Sequence, residues 1–348
     1  MARTAWFRLV AALAALITPG LLAACGNDSS TPATPAGAAA NQGEAGAVIS
    51  PAQAEQAVRD WWRQHELALT RRDQATQVAR LDAAPLLTVV GHQVALSLSL
   101  NRPVIPAPRT PSAVRVYVPP QPSWPVSLLA VVDVASRAHP GATEHVALLF
   151  TKQAPDADLR AIEQALLDSQ EPAIALDANG YARTIPPADQ PPTLGRSAAD
   201  LSAQFGAFMG GIAHGHPAPA ASFAPGPHTT QVAEADAAEL RDPSTPSHGV
   251  VSSVDLGYLE LNFPTPVYAL SGGGGFTLFA TERDETLHPG SGQDFVQDAS
   301  RHNWGIDVAP GQYQQIAMRS IVVCAVRLPE GGAPADVVGS GGGVYSAG

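Results

Sequence analysis

The distribution of apolar and polar positions divides the chain into a leader, a polar stretch and two patterned halves. Leu9 to Leu22 is apolar apart from Thr18, and residues 26–49 are small and polar with few large side chains. Ser50-Pro51-Ala52-Gln53 then combines a capping box with proline at the first helical position. Val58, Trp61, Trp62, His65 and Leu69 follow at helical spacing. This predicts a helix from Ser50 to Gln77, with Arg59, Asp60, Arg63, Glu66 and residues 71–73 mostly on its wetter faces. His65 lies on the apolar stripe and reads as a hydrogen-bonded boundary histidine.

Period-2 patterns come next. Val94–Leu100 alternates aliphatic with small residues, and Val114–Val118 puts three valines on one face with Arg115 and Tyr117 on the other. Pro119-Pro120 ends that run. Ser127–Ala135 and His145–Thr151 are near-continuous apolar runs joined by a Pro140-Gly141 turn, the pattern of a buried antiparallel pair. Asp156–Asp168 reads as an acid-fronted helix with Leu159, Ile162, Leu166 and Leu167 inward. Ile174–Ile185 reads as a hairpin about Asn179-Gly180, and Pro186–Pro192 as a linker.

The second half repeats the order. Helices are predicted at Ala198–Ile212 and, more weakly, at Thr230–Arg241. Strands are predicted at Val250–Phe263, Val267–Leu270, Phe276–Thr281, Gln315–Leu328 and Ala335–Tyr345, with Gly272–Gly275 as a mobile hairpin turn. Helix first and antiparallel strands after it favours α+β over βαβ. The expected organisation is a signal peptide (1–24), a flexible tether (25–49), an N-terminal α+β domain (50–190), a linker with a helix (191–228) and a C-terminal α+β domain (229–348). Two domains that resemble nuclear-transport-factor-2 cones, each a helix cradled by a curved sheet, are the leading expectation.

The leader changes the picture of location. Arg3 and Arg8 precede an apolar run too short for a bilayer-spanning helix, which needs about 20 residues. Leu22-Ala23-Ala24-Cys25 then resembles the cleavage site of bacterial lipoproteins. That resemblance implies cleavage before Cys25 and a diacylglyceryl group on its thiol. Each buried CH₂ contributes roughly 0.8 kcal/mol and stable attachment takes about two chains, which a diacyl group supplies. The residues after Cys25 cannot bury enough surface to offset their ordering entropy, and as a coil would reach roughly 25–30 Å.

Removing Arg3 and Arg8 with the leader leaves 18 basic against 31 acidic side chains, a net −13. An acidic body argues against nucleic acid and against docking on anionic lipid. Only Cys25 and Cys324 are cysteines, so acylation of Cys25 leaves Cys324 without a disulfide partner. Cys324, in an apolar run, reads as a small core residue.

Patterns that carry chemistry are weak. G-x-S-x-G is absent, and Gly290-Ser291-Gly292 lacks the context of a nucleophile elbow. His214-Gly215-His216 with His228, and His139 with His145, lack the third or fourth ordered ligand that zinc requires, and read as loop histidines. Asp294, Asp298 and His302 fit a solvated helix face. The glycine run has no following Lys-Ser/Thr, so phosphate binding is not indicated. Trp61 and Trp62 read as core. Trp124, in a proline-rich loop, is the better exposed contact, and Trp304 stands out besides. No catalytic, cofactor or metal residue is assigned.

"LDAAPLL", "VRVYVPPQPSWPVSLLAVVDV", "EPAIALDANGYARTIPP" and the ending "RSIVVCAVRLPEGG…VVGSGGGVYSAG" carry a wider resemblance. The chain resembles uncharacterised actinobacterial lipoproteins that share an extracytoplasmic domain of unknown function. The resemblance implies an envelope location and a shared body plan, and brings no catalytic residues with it. The expectation is a protein on the extracytoplasmic face of the cell membrane, anchored through Cys25, that binds an envelope protein or a small ligand. The alternatives are a hydrolase-like enzyme with its site in a domain cavity, and a chaperone-like assembly accessory.

Overall fold

A computed structural model describes residues 47–71, 81–82, 107–137, 139–169, 171–186, 189, 200–216, 223–241, 251–261, 265–290, 294–297 and 311–347. The leader, Cys25, most of the tether, the strand expected at Val94–Leu100 and Trp304 lie outside them.

The capping box at Ser50 forms as its sequence predicts. Ser50 Oγ accepts from the Gln53 amide at 3.3 Å, and Gln53 Oε1 accepts from the Ser50 amide at 2.9 Å. Helix α1 runs Pro51–Arg71, with Ala54, Val58, Trp61, Trp62 and His65 on its buried face. Glu66, expected on a wetter face, is fully buried. Arg109 and Arg137 reach it there. Its carboxylate accepts from the Arg109 amide (3.0 Å), Arg109 Nε (3.0 Å) and Arg137 Nη2 (2.7 Å). Arg109 also lies over the Trp62 ring and pairs with Glu144 at 2.8 Å, so one cluster of charge locks the helix onto the sheet.

The strands are β1 (Ala113–Tyr117), β2 (Val126–Ala135), β3 (Thr143–Lys152), β4 (Arg160–Leu167), β5 (Val251–Glu260), β6 (Tyr268–Ala269), β7 (Gly275–Pro289), β8 (Phe295–Gln297), β9 (Gly311–Tyr313), β10 (Ile316–Leu328) and β11 (Asp336–Ala347). Helices α2 (Leu201–Ala213) and α3 (Thr230–Arg241) lie between β4 and β5 in sequence. One antiparallel sheet runs β1-β2-β3-β4-β11-β10-β7-β5, with β6 paired to β7, and β8-β9 form a separate pair. The segments read as separate domains thus contribute adjoining strands to one sheet.

Alternation along the strands sorts the core into layers. Leu128, Ala130, Val132 and Val134 of β2 pack with Trp61, Trp62 and Phe150 beneath α1. Leu129 and Val131, pointing the other way, pack with Phe276, Leu278, Ala280, Ile321, Val323 and Ala325 of β7 and β10. The opposite face of β7 and β10, with Phe279, Cys324, Val326 and Leu328, packs against Leu201, Phe205, Phe208 and Met209 of α2. The single sheet folds back on itself, so the layers run α1, one half of the sheet, its other half and α2, an α+β arrangement in which both halves share the central core.

The fold line lies between β4 and β11, which pair only at Gly339–Leu167 and Ser340–Leu166. A Cβ at Gly341 would stand 2.2 Å from the Gln164 carbonyl. The glycine-rich ending is therefore what lets β11 press against the β4 backbone.

Two expectations are corrected. The segment 156–168 is not a helix: β4 occupies Arg160–Leu167, with Ala161, Glu163, Ala165 and Leu167 buried in alternation. Its alanines and spaced leucines favour helix, but the open edge of β3 and the glycines of β11 supply pairing that outweighs propensity. The hairpin at 174–185 forms as expected, with Asp177 Oδ1 capping the Asn179 and Tyr181 amides and the arms bonded at Asp177–Tyr181 and Arg183–Ala175, and it also bonds to 267–271. It stitches the two halves together. Phe295–Gln297 is strand, so Asp294 does not begin a helix; Asp298 and His302 lie outside the described residues. The Gly272–Gly275 turn joins β6 to β7 as predicted. It lies against β10, since a Cβ at Gly274 would meet the Leu328 carbonyl at 2.3 Å.

Candidate functional site

A charged cluster interrupts the inner face of the sheet. Asp133 in β2 stands opposite His145 in β3 and diagonal to Arg115 in β1. Toward this end the inner face passes from Leu129 and Val131 to Asp133, and from Ala147 to His145. The following loop brings Glu171 over the same face. Arg115 donates to both Asp133 oxygens, Nη2 to Oδ1 at 2.7 Å and Nη1 to Oδ2 at 3.0 Å, and its Nε pairs with Glu171. Tyr117 donates its hydroxyl to Glu171. His145 Nδ1 lies 2.7 Å from Asp133 Oδ1.

These groups line a cavity of about 540 Å³ that Pro172, Ala173, Ile174 and Leu176 complete on its apolar side. Its size falls in the range of small-molecule sites. The two carboxylates are pushed in opposite directions. Burial alone would raise Asp133, but hydrogen bonds from Arg115 and His145 hold it below the usual carboxylate value. Burial raises Glu171 against the pull of Arg115. Asp133 is thus the fixed anion and Glu171 the group readier to hold a proton. Asp133 accepts at His145 Nδ1, which fixes the orientation of the ring and leaves Nε2 as its other polar atom.

A second cavity, of about 730 Å³, lies between the end of α2, α3 and β5, and includes His214, Glu234 and Asp255. Beside it Asp236 accepts from Tyr258 Oη (2.7 Å) and Arg283 Nη2 (2.9 Å), which pins α3 to the sheet.

The residues singled out from the sequence are dispersed. His65 stacks on Trp61 at 4.5 Å, with Asp82 3.6 Å away, inside the core. Trp61 and Trp62 are buried. Trp124 is half-buried, not exposed, with Lys152 over its ring. Cys324 is buried, and burial, then Glu163, pushes its thiol up. His214 and His216 are exposed at the end of α2, where His214 Nε2 lies 3.1 Å from the Leu256 carbonyl. His139 is exposed in its turn, whereas His145 joins the Asp133 cluster. His228 lies between Asp168 and Ser340. Cys25 and Ser291 lie outside the described residues. Among the described residues no group of three or more His, Cys, Asp or Glu side chains is placed to hold a metal.

Asp133 and Glu171 escaped the sequence reading, and Arg115 and Tyr117 entered it only as the far face of a strand. The available signal was Asp133 itself, the one charge in an otherwise apolar run. What joins it to Arg115 and His145 is strand register, which the separate segments do not display.

Neither the curated proteins nor the solved structures contain a significant match to the chain. A family model matches residues 45–348, most of the chain, and the protein belongs to the family described as Domain of unknown function (DUF8094).

Proposed function

We propose that the protein is a bacterial lipoprotein, anchored through Cys25 on the extracytoplasmic face of the cell membrane, whose body binds a small ligand in the Arg115–Asp133–His145–Glu171 cavity. The leader pattern and the polar stretch after Cys25 support the anchor and tether. The observation that carries the binding role is the convergence of five polar side chains from three strands and a loop on one cavity with an apolar wall. Arg115 is already engaged by two carboxylates, so it is not free to clamp an anion. The carboxylate acceptors Asp133 and Glu171 suit a ligand rich in donors, a small amine or polyol, with an apolar edge against Ile174 and Leu176. Among the described residues the exposed large apolar side chains, Leu166, Leu176, Val232 and Leu259, come from four separate segments, which favours a small ligand over a broad protein interface.

Two experiments test the two parts. Cys25→Ala should move the protein out of the membrane fraction; retention there defeats the anchor. A thermal-shift panel of amines, polyols and organic acids on the wild-type chain should yield stabilisation by amines or polyols of several degrees. A ligand at 100 times its Kd adds roughly 2.7 kcal/mol. Stabilisation by acids alone, or by none, defeats the binding assignment.

A further inference from the structure

We infer that Ser340, His228 and Asp168 form a hydrolytic relay on the helix-covered face of the sheet, separate from the Arg115 cavity, that acts on small esters with an apolar acyl group. Three segments converge there. Asp168 follows β4, His228 precedes α3 and Ser340 lies in β11 beside the fold line. His228 Nε2 is 2.7 Å from Asp168 Oδ1, and His228 Nδ1 is 3.0 Å from Ser340 Oγ. His145 and His288 also pair with carboxylates, at 2.7 and 2.9 Å. His228 adds a serine hydroxyl at its other ring nitrogen.

The proton logic is that of an activated serine. With its Nε2 proton donated to Asp168, the imidazole turns the lone pair of Nδ1 toward Ser340. The two ring nitrogens exchange the places they hold in the familiar serine hydrolases. The chemistry requires only that the base nitrogen be the one not tied to the carboxylate. The partner of Ser340 across the sheet is Leu166, which is 45% exposed and gives an acyl chain an apolar surface beside the nucleophile.

In the reaction Ser340 Oγ bonds to the ester carbonyl carbon as its proton passes to His228 Nδ1. The bond from that carbon to the alkoxy oxygen breaks as His228 returns the proton to the departing alcohol. Water then attacks the acyl-serine, giving its proton to His228. The Ser340–acyl bond breaks, Ser340 recovers the proton and the acid leaves.

The competing account is a polar pin that fastens the loop before α3 to the fold line. Treating the full-length chain with a fluorophosphonate probe separates the two. The relay predicts a single covalent adduct mapped to Ser340, and hydrolysis of p-nitrophenyl butyrate. Ser340→Ala should abolish both, and His228→Gln should slow labelling at least 100-fold. Adduct mapping on the wild-type protein needs no variant, so a variant that fails to fold does not obscure the answer. Absence of an adduct at Ser340, or hydrolysis that survives Ser340→Ala in a folded protein, overturns the relay.

Discussion

At the scale of single residues, Glu163 is the most consequential charge that the strand pattern conceals. It sits at an inward position of β4, fully buried, and among the described residues neither carboxylate oxygen has a hydrogen-bond partner. Burial raises its pKa to about 8. Below an unfolded value of about 4.3 both states hold the proton and the group imposes no penalty. As pH rises from there the unfolded chain releases the proton while the folded one keeps it, so stability falls until about pH 8 and then levels. The loss across that window is on the order of 5 kcal/mol. Asp133 has the opposite sign: its contribution is present above the unfolded value and is lost as pH falls through the depressed folded one. Thermal melts between pH 5 and 8 should therefore show wild-type stability declining, and Glu163→Gln should flatten the decline. Equal slopes in the two proteins contradict the assignment. The same residue explains why β4 was hidden, because a glutamate at an inward site breaks the visible alternation of apolar side chains.

At the scale of elements, legibility followed how locally each one is determined. Helix α1 was readable at its start because Ser50, Pro51 and Gln53 satisfy its first amides themselves. The β2–β3 pair was readable from two apolar runs and a Pro-Gly turn. β4 was not, because its strand state depends on partners nearly two hundred residues apart in β3 and β11. The Arg115 cluster was illegible for the same reason. The burial of Glu66 likewise depends on Arg109 and Arg137, from segments far along the chain. Glu66→Ala leaves both guanidiniums facing a vacated, water-poor site, and should destabilise the fold by about 3–5 kcal/mol. Denaturant unfolding checks this. A loss under about 1 kcal/mol would mean that the pair acts like an exposed surface bridge.

At the scale of the whole molecule, the shared core ties the two helix-then-sheet halves together. Leu129, Val131 and Ala147 from one half are buried against Phe276, Leu278 and Ile321 from the other. Expressed alone, residues 50–190 would expose that inner face, and the piece should aggregate or bind hydrophobic dyes more than residues 50–348 do. A soluble, cooperatively folding piece would contradict this dependence. The functional account rests on the cavity at the margin of that core. It is tested most directly by calorimetric titration of a stabilising amine or polyol into wild-type and Glu171→Gln protein. Glutamine keeps the side chain's shape and removes the charge, so the account predicts binding at least tenfold weaker in the variant. An unchanged Kd in a folded variant would place the ligand elsewhere and contradict it.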